Sequence, residues 1–105
     1  MSNSMKRKIK INDIALKDIE EIKDYIRMEN VNAIKKFAKE IRATLERMAE
    51  FPNIGISLSK IISVETEYRY LVSKGYIVFY KYDENNVYIY RILSDKRDYM
   101  KILFE

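Results

Sequence analysis

The chain has 105 residues, a formal charge of +4, and neither cysteine nor histidine. That length suits one domain, and the two absences exclude a disulfide framework, thiolate or imidazole zinc sites, and the Ser-His-Asp and Cys-His arrangements. Lys, Arg, Tyr, Asp and Glu are left to carry any chemistry, and neither a metal nor a cofactor is implied. With 48% hydrophobic residues, two Gly and one Pro, the composition is that of a folded domain. The basic balance favours an anionic partner, nucleic acid or acidic protein. No apolar run approaches the ~18 residues of a membrane span, and MSNSMKRKIK lacks the apolar stretch of a signal peptide, so a cytoplasmic location is expected.

Met1 to Ser4, and Met5 with them, are expected to be disordered. From Lys6 to Ile11 the pattern KRKIKI alternates basic with apolar residues, the period of a strand with one wet face, and its lysines suit a sheet edge. Asn12 or Asp13 then caps a helix whose buried stripe is Ala15, Ile19, Ile22 and Ile26. Lys17, Asp18, Glu21 and Asp24 read as its solvated face. The helix is expected to break at Glu29–Asn30, with Asn30 in the left-handed conformation.

A second helix is predicted from about Val31 to Glu50, with Ile34, Phe37, Ala38, Ile41, Leu45 and Met48 on one side. Pro52 stops it, and Gly55 frees the following turn. The short connection makes an antiparallel helical hairpin that packs on a sheet. Lys35, Lys36, Lys39, Arg42 and Arg47 make this helix basic while the first is mostly acidic, so charge is expected to be satisfied between the two. Residues 53–66 read as a loop packing over one end of the core.

All tyrosines but Tyr25 fall between Glu67 and Tyr99. Three runs rich in Val, Ile, Tyr and Phe, near Glu67–Val72, Tyr76–Tyr82 and Val87–Leu93, predict an antiparallel meander with reversals at Ser73–Gly75 and Asp83–Asn86. A three-residue first reversal sets Val72 opposite Tyr76, Tyr70 opposite Val78 and Tyr68 opposite Tyr80. Leu71, Ile77 and Phe79 then share one face, and Tyr70, Val78 and Tyr80 the other. Both faces need cover, and the helices supply only one. The second must hold the C-terminal tail, a partner chain or an open tyrosine-rich groove. Asp95 is placed to cap a short final helix carrying Tyr99, Ile102 and Leu103. The fold class is therefore α+β: an N-terminal strand, a helical hairpin, and a three-stranded antiparallel meander ending in a short helix or tail.

In this order DIEEIKDYI, FPNIG, EYRYL, GYIVFY and RILSDKRDY resemble the RelE/ParE superfamily of toxins from bacterial type II toxin-antitoxin modules, over Lys6 to Leu103. The resemblance implies a growth-arresting toxin neutralised by a cognate antitoxin protein that wraps its surface, with operator DNA contacted only through that antitoxin. Two activities diverge within the superfamily: poisoning of DNA gyrase, and ribosome-dependent cleavage of mRNA. Only the second would make the chain an enzyme.

Cleaving members place an arginine after the Gly-Tyr of the middle strand, where this chain has Ile77. Many carry a histidine at the end of the last strand, where this chain reads Leu93-Ser94-Asp95. Arg69, Arg91, Arg97 and Tyr99 remain as a cationic and phenolic set for catalysis, with Arg97 matching a family arginine. Lys96, Arg97, Tyr99, Arg91 and Tyr70 are the expected contacts to target or antitoxin. The competing structural role for Arg69 and Arg91 is pairing with carboxylates such as Glu67 and Asp98. The missing catalytic residues and the long hairpin favour the gyrase-directed ParE branch. The alternatives are an mRNA-cleaving enzyme and an inactive member that only binds its antitoxin and operator.

Overall fold

The computed structural model of the chain describes residues 6–96 and 99–104, with the side chains of Tyr99, Met100 and Phe104 left undescribed. Expectations for residues 1–5, and for Arg97 and Asp98, lie outside the described residues. A five-stranded sheet has the helical hairpin on one face and a short C-terminal helix on the other.

Strand β1 (Lys8–Ile11) sits at one sheet edge, as its lysines suggested. Helix α1 (Asp13–Glu29) starts where the Asn12 side chain accepts a hydrogen bond from the Ala15 N–H, satisfying a donor that the helix start leaves unpaired. Asn30 ends it in an extended rather than left-handed conformation, at φ −162°. The reason is that Asn30 is also the cap of the next helix, its side chain accepting from the Asn32 N–H. A capping residue takes β-region dihedrals.

Helix α2 (Val31–Glu50) buries Phe37, Ile41, Leu45 and Met48 as its spacing predicted, and adds Thr44 and Ala49. No ion pair joins the two helices among the described residues. Those on α1, Lys23–Glu20 and Arg27–Asp24, run along the helix instead, where residues three apart lie on one face.

Residues 53–66 do more than cover the core. After a single turn at Pro52–Ile54, Ile56–Ser57 forms a short fifth strand, β2, antiparallel to β3 (Arg69–Ser73). Leu58 and Ile62 then fold onto the second sheet face. The sheet order is β1-β5-β4-β3-β2, with β4 at Tyr76–Tyr82, β5 at Asn86–Ser94, and β1 parallel to β5.

The first reversal is shorter than expected. Ser73 pairs with Tyr76, leaving a two-residue turn at Lys74 and Gly75, with φ of 53° and 89°. Two consecutive left-handed residues match the right-handed twist of a hairpin. Dropping one residue changes every partner: Leu71 opposes Val78, Tyr70 opposes Phe79 and Arg69 opposes Tyr80. Leu71 therefore joins Val78 and Tyr80 under the helices, while Tyr70 joins Ile77 and Phe79 on the other side.

On β5 the register slips between Phe79 and Tyr80, whose partners are Arg91 and Ile89, so Tyr90 is the extra residue of a β-bulge. Ile89 and Ile92, three apart in sequence, thereby both face the helices, and Tyr90 faces away. Helix α3 (Tyr99–Phe104) packs Ile102 and Leu103 against Leu58, Ile77, Phe79 and Leu93 on the second face. The start of α3, the expected place of an Asp95 cap, adjoins residues 97–98 outside the described residues; the Asp95 N–H donates to the Gly75 carbonyl, extending the β4–β5 pairing into the turn.

Candidate functional site

Strand β1 stops at Ile11, opposite Ile89, leaving the β5 backbone beyond it without a partner strand. Asp18 fills that gap. Its Oδ2 accepts the Ile92 N–H at 3.0 Å and the Arg91 Nε–H at 2.8 Å, while Oδ1 accepts from Arg91 Nη2 at 2.8 Å. The Asp18 side chain is 4% exposed and that of Arg91 19%. Asp18 thus belongs to the interior and not to a solvated face, and it is a carboxylate partner of Arg91; the expected Asp98 lies outside the described residues. Helical spacing carried the signal, since Asp18 lies three residues after Ala15 and four before Ile22. The hydrogen bond to Asp18 raises the Arg91 pKa, outweighing the opposing effect of burial.

Arg69 is likewise committed, though not to Glu67. Its Nε–H donates to the Gly55 carbonyl at 3.0 Å, and Nη2 reaches the Asn53 carbonyl at 3.5 Å. The same turn is held from beneath by Tyr80, whose buried hydroxyl accepts the Gly55 N–H at 2.7 Å and donates to the Pro52 carbonyl at 2.9 Å. Burial raises the Tyr80 pKa, and the Gly55 hydrogen bond and the charge of Arg69 partly offset it. A Cβ at position 55 would collide with the Tyr80 hydroxyl and come within 2.8 Å of the Tyr70 carbonyl. Glycine at that position is required by this close approach.

Arg69 and Arg91 are therefore anchored separately, one on the Pro52–Gly55 turn and the other on α1. Tyr70 is half-buried on the second face with Phe79, and Lys96 is exposed after β5, its N–H donating to Ser94 Oγ. Arg97 and the Tyr99 side chain, the rest of the expected set, lie outside the described residues.

At position 77, where cleaving relatives of the resembled superfamily would present a cation, Ile77 is 5% exposed among Leu58, Phe79 and Leu93. Ile102 and Leu103 of α3 close over this group. Beside it lies a cleft of about 620 Å³, lined by Leu58, Ile62, Val64, Tyr68, Phe79 and Tyr90 among others. Its walls are apolar apart from Glu65, Thr66 and the phenol hydroxyls. No group of His, Cys, Asp or Glu suited to a metal occurs among the described residues, nor any helix long and apolar enough to cross a membrane.

One solved structure with a similar fold is a chain of the chromosomal ParDE toxin-antitoxin system from P. aeruginosa, at a TM-score of 0.68 and 18% identity. The match covers 87% of this chain and 98% of that one. No curated protein matches in sequence. The sequence pattern of the ParE toxin of type II toxin-antitoxin systems (parDE) matches residues 9–99. With that span running from within β1 through β5 and taking in both long helices, the chain belongs to the ParE toxin family of type II toxin-antitoxin systems.

Proposed function

We propose that this protein arrests bacterial growth by binding and poisoning DNA gyrase, and that a cognate antitoxin neutralises it by covering the exposed half of its second sheet face. The observation that carries the choice of target is Ile77. General acid-base cleavage of RNA needs a base, an acid and cations converging on one phosphate. At the position corresponding to the cleaving members' arginine there is instead an apolar cluster closed by Ile102 and Leu103, with Arg69 and Arg91 held elsewhere by Gly55 and Asp18. A toxin that acts by binding needs no such convergence.

The apolar cleft beside that cluster supports the antitoxin reading. An exposed groove of this kind is a common docking site for a helix or an added strand. Lys96, Arg97 and Tyr99 follow β5 in the sequence and are the residues we assign to contact with target or antitoxin. Gyrase supercoiling and cleavage assays, set beside transcript-end mapping after induction in cells, test the proposal. Trapped gyrase–DNA breaks with intact messages support it, and codon-phased cuts in ribosome-bound mRNA with unaffected gyrase overturn it.

A further inference from the structure

Beside the cluster at Ile77, the second sheet face carries a row set by strand register. On β5, Tyr88 has Lys10 of β1 as its partner on one side and Lys81 of β4 on the other. Beyond Lys81 comes Tyr68, over whose ring the Lys81 Nζ lies at 5.5 Å. Tyr68 in turn meets Tyr90, their ring centroids 5.2 Å apart. Ring, ammonium, ring and ammonium therefore alternate across the sheet, and strand spacing puts the two lysines roughly 10 Å apart.

These residues line a shallow cleft of about 260 Å³ that has no carboxylate in its wall. Lys10 is exposed, and neither it nor Lys81 forms an ion pair among the described residues. Lys8, two residues before Lys10 and exposed like it, adds a third cation on the same side of β1. Nearby Asp83 forms no ion pair with them among the described residues; it accepts the Asn85 and Asn86 N–H groups and the Tyr88 hydroxyl.

We infer that this face of the free toxin binds single-stranded nucleic acid, Lys8, Lys10 and Lys81 holding successive phosphates while Tyr88 and Tyr90 offer rings on which bases stack. Flat aromatic rings interleaved with cations on an open sheet are the arrangement that single strands use, because every base has a stacking face and every linkage a charge. A duplex hides its bases and offers only phosphates. An acidic peptide offers charge without planar rings. The inference concerns the isolated protein and does not depend on gyrase being its target.

Fluorescence anisotropy with labelled oligo-dT, oligo-rU, a duplex of matching length and a glutamate-rich peptide tests it, with quenching of tyrosine fluorescence as the readout of stacking. Both single strands should bind more tightly than duplex or peptide, with log K falling against log salt at a slope of about −2 for three contacted phosphates. Lys10→Glu or Lys81→Glu should reduce that slope by about 0.7, and Tyr88→Leu should weaken binding roughly five- to a hundredfold and reduce quenching. Lys35→Glu and Lys39→Glu, the same charge change on the exposed face of α2, should leave the quenching intact and weaken binding far less. Because Lys10 is exposed, Lys10→Glu keeps the test independent of folding. Equal loss from the α2 variants, duplex binding as tight as single strand, or peptide binding that depends on Lys10 and Lys81 would each overturn the inference.

Discussion

Asp18 has three hydrogen bonds to keep, and every one of them ties α1 to β5. Removing one partner of a buried pair leaves the other's charge uncompensated, which costs about 3–5 kcal/mol. Asp18→Asn and Arg91→Ala should therefore each lower stability by roughly that amount in urea denaturation. The double variant should cost less than the sum, because the two residues share one interaction. Arg69→Ala should cost less, about 1–2 kcal/mol, since its guanidinium donates to carbonyls of a surface turn. Exposed Asp83 behaves differently. Backbone N–H groups of Asn86 and Asn85, and then the Tyr88 hydroxyl, hold its pKa below the ordinary carboxylate value. A lowered folded-state pKa means its contribution is present above about pH 3.9, the usual Asp value, and is lost as pH falls through the lower folded one. The amide resonances of Asn85 and Asn86 should accordingly shift only below that pH, and an inflection well above it would contradict the assignment.

At the scale of elements, the turn at Lys74–Gly75 decides which side chains meet. Lysine at φ 53° is strained by about 1–2 kcal/mol relative to the right-handed region, and asparagine tolerates that conformation better. Lys74→Asn should raise stability by up to ~1 kcal/mol in thermal or chemical unfolding. Gly75→Ala should lower it, because φ is 89° there although no neighbouring atom crowds the site. Gly55→Ala should be destabilising for the opposite reason, a clash with Tyr80 and the Tyr70 carbonyl at an ordinary φ.

The helices were legible because their signals are local: Asn12 caps, Pro52 stops, and the apolar residues recur every three to four positions. The sheet's register was not. One residue more or less in the first turn exchanges Leu71 and Tyr70 between faces, and both are apolar enough to fit either side. A strand as short as Ile56–Ser57 has no period to read, and Asp18 sits in a run of charges where only its helical spacing sets it apart. Of the expected site, Arg69 and Arg91 are held by the Gly55 carbonyl and by Asp18, partners from distant elements that local patterns do not reveal.

For the whole molecule, the hairpin, the Asp18–Arg91 pair and the Pro52–Gly55 turn form a scaffold, and we propose that the outer sheet face is what meets a partner. Expression without an antitoxin should halt growth, and coexpression of a neighbouring antitoxin gene should restore it. Arg97→Ala, at a residue we assign to contact with target or antitoxin, should weaken toxicity without the loss of stability that core substitutions cause. Ile41→Ala or Phe79→Ala should instead cost about 2–5 kcal/mol, because each empties a core position. The most direct measurement is a DNA gyrase reaction with the purified protein, followed by supercoiling and by trapped cleavage product. Added protein should suppress supercoiling and accumulate gyrase-linked broken DNA. Unchanged gyrase turnover, from protein that still arrests growth and cuts ribosome-bound mRNA in cells, would contradict the account.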